Sequence, residues 1–585
     1  MGPNTHYLPH HAVCKQSSTT PLRIVYNCSA KMSKTSPSLN DCLITGPSLT
    51  EKLTDVLIKF RSKQFACVAD IQKAFLQVGL QTHHRDFTRF LWPSDPFKED
   101  SLIRTFRFRA VLFGATCSPF LLQMTLQHHF NQSSSIYANT LLTSFYVDNL
   151  QLTLDKEEEL LDIYDVANNE LQNAGMRLQE WNSNSEMLKA YIQDNSSVPI
   201  TFPEISNILG LDWNTVQDTL TVKSCQFGDL EYVTKRQLLS LVSTCFDPLG
   251  MYAPVLIKGK LLIQSAWKEK VGWDVHLPPQ YLKKWNSLAS EIDELPSIKF
   301  PRCVCVTNEQ YSLHAFVDAS TVAYGVVCYL TNQYTSHFVA CKARVAPLKS
   351  RTLPQLELTA LQIGTQFASY LQSLLKEFVH EVIIWSDSEA ALQWIRNNNS
   401  KIPYVQNRVS NIREIGSSFQ FLHVPNKENP ADLLTRGISI KQFKGASIWM
   451  CGPLWLPHSE CWPKQKSTIV VGEIVSEMLP DLAKVEPIFD YTNYSTLKKL
   501  LDVTKFVFRF IKICRPNVSL PQPIVYWIQI VQKIHYPSSY SFLCNKVNVL
   551  DQASKQFIKD LGLYQRQITS FHVRSVHKVS ISYSY

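Results

Sequence analysis

Glycine is scarce in this chain, with 18 residues in 585 against 30 prolines and 30 phenylalanines. Together with the lack of any low-complexity tract, that excludes collagen-like repeats and long flexible linkers. No run of 18 apolar residues occurs, so no membrane-spanning helix is predicted. The opening "MGPNTHYLPHH" has neither the cationic nor the apolar region of a secretory signal. His6 also stands where a myristoylation signal takes Ser or Thr. Fifteen cysteines are present, but no CxxC pair, so they read as reduced thiols of an intracellular protein. Cys451, His458 and Cys461 supply three zinc-ligand types without a fourth and read as a structural loop. The absence of Asp-Thr-Gly and Asp-Ser-Gly leaves peptidase chemistry without support.

What is present describes a globular chain. Hydrophobic residues make up 45% and charged residues 18% of a length that exceeds one hydrophobic core, so several domains are expected. The net charge is +9, and residues 1–150 hold fifteen Lys/Arg against nine Asp/Glu, a local excess of six. A basic first segment suits a polyanionic partner, because each cation–phosphate contact releases counterions.

Along residues 1–225, strand-like runs such as "LRIVYNCSA", "FACVADI" and "TSFYVDNLQLTL" alternate with helical patterns. Residues 232–292 read as mostly helical, with Trp267 and Trp285 as core anchors, and "LPSIKFPRC" is a proline-marked junction. From 311 to 437 an apolar hairpin is followed by alternating helices and strands, the order of one α/β domain.

That later region holds four acids at element ends. Asp318 closes "LHAFVD" and Asp387 closes "VIIWSD", the strand ends where α/β proteins place ligands. Glu357 is placed in the first turn of a helix whose apolar positions are Ala360, Ile363, Phe367, Leu371, Leu374 and Phe378. Asp432 follows "NP", with Asn429 as the expected helix cap and Pro430 at its first position. Each acid alone is explained by a turn or a helix dipole. Four converging carboxylates instead call for cations, and two metals about 3.5–4 Å apart clamp an in-line phosphoryl displacement.

The motifs "FVDAS", "AYG", "LPQLEL", "WSDSEAAL" and "VPNKENPADLLTRG" closely resemble the ribonuclease H domain of BEL/Pao-type LTR retrotransposon Pol polyproteins, a family also called Pao retrotransposon peptidase. Upstream, "YLPHHAVCKQSSTTPLRIVYNCSAK", "SLNDCLITGP", "FACVAD", "VLFGATCSPF", "YVDN", "RLQEWNSN" and "ILGLDWN" resemble that family's reverse transcriptase in order. The resemblance implies an α+β and α/β multidomain protein, a right-hand polymerase of fingers, palm and thumb followed by a ribonuclease H-like mixed-sheet domain. It divides the chain into fingers and palm at 1–225, thumb and connection at 226–300, ribonuclease H at 301–440, and a linker towards a missing integrase at 441–585. The segment "LDQASKQFIKDLGLYQ" resembles the integrase lead-in, and the tail after it carries no assignment. The chain reads as a fragment of a longer polyprotein.

The same resemblance implies RNA-directed DNA polymerase and ribonuclease H activities, each using two Mg²⁺ per site with Mn²⁺ as a substitute. Implied partners are an RNA template, a DNA primer, the RNA–DNA hybrid and deoxynucleoside triphosphates. A cytoplasmic location, in virus-like particles, follows from the family. Asp70 and Asp148 match the palm's metal ligands, and Asp318, Glu357, Asp387 and Asp432 those of ribonuclease H. Arg23 and, more weakly, Lys15 match the cations on the triphosphate; Phe75 matches the aromatic that rejects a 2′-hydroxyl, with Phe113 and Gly114 shaping its pocket. His423 is read as a strand-end histidine.

Two departures stand out. Asn149 replaces the second acid of a Tyr-x-Asp-Asp pattern, and Glu180 stands where a basic residue is expected. They open the alternative of a domesticated or inactive remnant that binds nucleic acid without efficient polymerisation.

Overall fold

The computed structural model describes residues 5–14, 22–98, 100–228, 230–306, 309–349, 351–397, 402–465 and 469–470, with four short segments beyond residue 500. The chain divides into two compact units, Met1–Glu473 and Ile474–Tyr585. In the second, Leu563–Gln565 pairs antiparallel with Phe571–Val573. The rest of the integrase-like lead-in and tail lies outside the described residues.

The first unit opens with an exposed antiparallel pair, β1 (His10–Cys14) and β2 (Leu22–Tyr26). A single helical turn, α1 (Leu39–Cys42), follows the reciprocal Ser38–Asp41 capping box. Helix α2 (Leu53–Phe60) then leads into β3 (Phe65–Ile71), the turn α3 (Ala74–Gln77) and the hairpin β4 (Arg89–Pro93) with β5 (Ile103–Arg107). Tyr26 packs edge-on against Phe90 and Phe108, joining the two hairpins through aromatic rings.

After helices α4 (Ser118–Gln132) and α5 (Ala138–Ser144) come β6 (Phe145–Tyr146), β7 (Asn149–Leu154), α6 (Glu157–Asn173), β8 (Leu178–Ser183) and α7 (Glu186–Asp194). The first turn of α6 carries Glu157, Glu158 and Glu159, which its positive end favours. The sheet order is β6-β7-β3-β8. Strand alternation explains why one acid emerges from an apolar strand: Cys67, Ala69 and Ile71 enter the core against the helices, which leaves Asp70 on the opposite face.

A second antiparallel sheet joins β9 (Ile205–Ile208), β10 (Leu211–Asn214), β11 (Thr219–Val222) and β12 (Phe300–Pro301). Between its last two strands lie α8 (Lys235–Thr244), α9 (Ala253–Lys268) and α10 (Pro279–Asp293). Trp285 is buried among them, as expected. Trp267 is not: at the last turn of α9 it is 46% exposed, edge-on to Trp273 and beneath the Lys235 ammonium. Its position falls off the buried stripe of α9 that runs through Val255, Leu262 and Ala266.

The mixed sheet contains β13 (Tyr311–Ala319), β14 (Ala323–Thr331), β15 (Ser336–Val345), β16 (Val379–Ser386) and β17 (Gln420–His423), in the order β15-β14-β13-β16-β17. The first three strands are antiparallel, whereas β13–β16 and β16–β17 are parallel. This is the ribonuclease H-like arrangement that the sequence order implies. Helix α11 (Leu353–Leu374) crosses the sheet, followed by α12 (Glu389–Asn397), α13 (Pro403–Ile415) and the short α14 (Asp432–Arg436). A Cβ at Gly364 would collide with Val317, so glycine lets α11 lie close on β13. The residues buried by α11 are Leu358, Ala360, Leu361, Ala368 and Leu371. Ile363 and Phe367, expected in the core, sit only at its margin, and Phe378 lies beyond the helix end. Packing continues past residue 440, where Trp455 and Trp462 stack around Trp385.

Two buried arginines join this sheet to the first α+β region. Arg61, at the end of α2, donates to the carbonyls of Phe338 (2.7 Å), Pro301 (3.0 Å) and Val339. Arg302 donates to Phe60 O (2.7 Å) and Lys63 O (2.8 Å) and grips Asp218 through two bonds of 2.6 and 2.8 Å. Burial holds the Arg61 guanidinium down to about 10, far enough above neutrality to keep its charge and donors. No helix of the described residues is long and apolar enough to cross a membrane.

Candidate active sites

In the first α+β region, Asp70 is the Cα partner of Asn149 on β7 and of Gln179 on β8. Asp148 occupies the turn between β6 and β7, after Val147 in a left-handed conformation (φ 60°). The Asp148 carbonyl accepts from the Ile71 N–H at 2.9 Å, which ties the turn to the end of β3. The amide Nδ2 of Asn149 donates to Asp148 Oδ1 at 3.0 Å. Asp70 is pushed up to about 6 by burial, then by the charges of Asp148 and Glu180, against a lowering bond from Gln179. Burial also raises Asp148, and the Asn149 bond opposes that rise.

The proximity of Glu180 was not legible in the sequence. The β3–β8 register slips between Val68 and Asp70, and Glu180 sits in that irregularity with φ 56°. A non-glycine residue in this region costs about 1–2 kcal/mol. Asp70, Asn149, Gln179 and Glu180 line one cleft of about 1120 Å³.

Phe75 is buried on α3 and meets the half-exposed Phe113 ring edge-on at 4.9 Å. Gly114 follows at φ +93°, where a Cβ would press the Tyr26 carbonyl at 3.1 Å. The structure therefore brings Phe75, Phe113, Gly114 and the end of β2 together. Arg23 lies exposed on β2 opposite Val13. Lys15 lies outside the described residues.

In the mixed-sheet region, Asp318 sits near the end of β13 and accepts from the Thr435 hydroxyl at 2.5 Å. Glu357 falls in the second turn of α11 rather than the first, because the helix begins at Leu353 behind the Thr352–Gln355 bond. It accepts a hydrogen bond from Ser388 Oγ. Asp387 directly follows β16 and is pushed up to about 7, first by burial and then by Asp318, Glu357 and Asp432. Burial raises Asp318 and Glu357 as well.

Asp432 opens α14 and pairs with Arg436 at 2.8 Å. Asn429 does not cap that helix. Its side chain spans two backbones, donating to Val317 O (3.0 Å) and accepting from the Ala431 N–H (3.1 Å), which pins the "NPAD" loop to the Asp318 strand. His423 ends β17, half-buried, with its backbone N–H bonded to Gln465. Thr435 and Ser388 were missed as supports, although both lie inside the quoted motifs.

The four acids thus surround one point of the sheet and raise one another's pKa. Among the described residues no three acids, histidines or cysteines are drawn into a closed metal cage. An all-oxygen set of mutually repelling carboxylates still has the chemistry of a hard divalent-cation site, since only a cation relieves that repulsion.

Residues 21–183 match the family described as reverse transcriptase (RNA-dependent DNA polymerase). Residues 234–388 match the Pao retrotransposon-like RNaseH-like domain, a stretch that includes Asp318, Glu357 and Asp387 but stops before Asp432. No curated protein matches the chain. Among solved structures, a foamy viral protease-reverse transcriptase dRH in complex with double-stranded DNA is 15% identical, covers 72% of this chain and 67% of its own, and gives a TM-score of 0.49. A foamy viral protease-reverse transcriptase with an RNA/DNA hybrid is 14% identical over 74% of this chain and 52% of its own, with a TM-score of 0.46. The corresponding complex with double-stranded DNA gives 14%, 72%, 79% and 0.48.

Proposed function

From a chain that belongs with the BEL/Pao-type Pol polyproteins and carries reverse transcriptase and RNase H-like regions, we propose an RNA-directed DNA polymerase that also cleaves the RNA strand of RNA–DNA hybrids. The observation that carries the reading is Asp387, raised to about 7 by burial and by three other acids from separate elements. A structural turn has no use for that repulsion; a divalent-cation site does.

In the RNase H-like region Asp318, Glu357, Asp387 and Asp432 would hold two Mg²⁺, with Mn²⁺ as a substitute. Bound there, the cations would supply Lewis-acid activation of water and neutralise the leaving oxygen. Thr435, Ser388 and Asn429 orient the carboxylates and the loop, so that the site is assembled before a ligand arrives. In the palm, Asp70 and Asp148 would take the same role, and Asn149 contributes an amide without a charge. Phe75, supported by Phe113, bounds the sugar pocket and excludes a 2′-hydroxyl by contact. Arg23 faces the triphosphate oxygens, and Gly114 permits close backbone approach. Glu180 cannot donate a proton to pyrophosphate when ionised, so the palm works without that help.

The partners under this reading are RNA template, DNA primer, hybrid and deoxynucleoside triphosphates, and the setting is the cytoplasm. Hybrid cleavage in Mg²⁺ tests the second site: activity in the native chain that survives Asp387→Ala removes the metal assignment. Primer extension on an RNA template tests the first, with Asp148→Ala as the inactive reference. One observation favours the remnant reading for the palm alone, namely Asn149 opposite Asp70. Extension by Asn149→Asp but not by the native chain would establish it.

A further inference from the structure

The solvent-facing flank of α11 carries five cations. Thr359, Ile363, Gln366, Phe367 and Tyr370 recur at helical spacing and form one stripe that begins in the turn next to Glu357. At its first end Tyr404 from α13 lies between two guanidinium groups. The Arg351 Cζ stands 4.8 Å and the Arg408 Cζ 3.6 Å from the ring centroid. The Tyr404 hydroxyl bonds Thr359 Oγ1 at 2.7 Å, which fixes this stack to α11. At the other end Lys342 from β15 lies over Phe367 at 5.8 Å, and Lys52 from the segment before α2 lies over Tyr370 at 5.7 Å. Arg344, two residues along β15, joins them around a cavity of about 320 Å³.

Ordinary surface cations alternate with acids, and these do not. No carboxylate forms an ion pair with any of the five among the described residues. The nearest acids are already engaged: Asp55 accepts from Tyr370, and Glu51 pairs with Lys59 at 2.6 Å. Arg344 and Lys52 are close enough to lower the Lys342 pKa, which burial lowers further. Five like charges gathered from three segments onto aromatic rings repel one another until an anion arrives.

We propose that this stripe is a binding track for the phosphodiester backbone of a nucleic acid, leading along α11 to the Glu357 site. From Thr359 to Tyr370 the helix advances about 16 Å, and a strand places a phosphate about every 3.4 Å, so about five phosphates face five cations. Arg351 and Arg408 supply forked donors next to the reacting site, and the exposed rings offer faces for sugar or base. The track rests on the hybrid-cleaving function proposed above and names where that substrate is gripped.

The test is hybrid affinity of the full chain, measured by fluorescence anisotropy at a series of salt concentrations in excess chelator, so that no catalysis enters. Replacing Lys52, Lys342, Arg344, Arg351 and Arg408 with Gln is expected to flatten the slope of log K against log salt by about 4, near 0.9 per lost contact. Gln at five exposed lysines elsewhere (Lys268, Lys283, Lys284, Lys427 and Lys441) removes the same charge and is expected to change the slope by less than about 1. Should the fivefold variant fail to fold, Arg351→Gln with Arg408→Gln is expected to flatten the slope by about 2. An unchanged slope in a folded track variant, or an equal loss in the control, overturns the track while leaving the function intact. If the native chain shows no hybrid binding, the track and the function fall together.

Discussion

Asp70 and Asn149 stand directly opposite one another across the β3–β7 ladder, while the Asn149 amide gives its proton to Asp148 at 3.0 Å. The amide therefore serves as a hydrogen-bond donor that keeps Asp148 ionised, the reverse of what a second acid would do. The site has exchanged one negative charge for an internal bond.

Asn149→Asp removes that bond and adds a third charge beside Asp70 and Asp148. Without divalent cation, both aspartates are expected to titrate higher than in the native chain. With Mg²⁺, primer extension on RNA is expected to rise by roughly 10- to 100-fold, the scale of one preorganised electrostatic group. Lower extension than native would show that the amide is a working part of the site.

Glu180→Gln tests the charge that enters through the strand irregularity. Asp70 is expected to fall below its native value of about 6, because one of the two acids raising it is gone. A carbon-detected NMR titration of the aspartate carboxyls in metal-free protein checks this; an unmoved Asp70 would mean that Glu180 is too well solvated to act.

Asp387 links the RNase H-like site to stability. Its folded pKa of about 7 lies above the ordinary aspartate value, so the folded state binds the extra proton. The stability that this group contributes is complete below about pH 4 and is lost as pH rises through 7. Asp387→Asn should therefore stabilise the metal-free chain at pH 8, by roughly 1–3 kcal/mol, and change little at pH 4. Urea melts at the two pH values measure it, and Mg²⁺ is expected to narrow the difference at pH 8 by binding only the native acid set. Equal effects at both pH values would discount the repulsion.

Arg61 and Arg302 hold the mixed sheet against the palm. Replacing Arg61 with Ala strands three carbonyls and leaves a cavity, at a cost of roughly 3–5 kcal/mol. Arg302→Ala also leaves Asp218 without its partner and is expected to cost about as much. Denaturant melts should show both losses, together with earlier protease cleavage between residues 61 and 311. A change below 1 kcal/mol would mean that water replaces these donors.

How much was readable in advance depended on the range of the interaction. The mixed sheet was legible because its signals are local: apolar strands, turn residues and the "NPAD" loop. The buried arginines were not. Arg61 follows an amphipathic helix and Arg302 a proline, and nothing nearby in the sequence marks either as buried; their partners lie some 240 residues away. Trp267 was misplaced for a related reason, since a tryptophan reads as core wherever it stands and only the packing of α9 turns it outwards. Asn429 was assigned a cap that fits its neighbours, but Val317, more than a hundred residues earlier, claims its amide.

By itself the sequence determined the order of the regions, the family and the acids that carry the chemistry, because those depend on residue types at short spacings. Only the tertiary structure decided that Asn149 bonds Asp148, that Glu180 enters the field of Asp70 and that five cations share one flank of α11. Each of these is a distance between segments far apart in the chain, and Coulomb and hydrogen-bond energies depend on that distance alone.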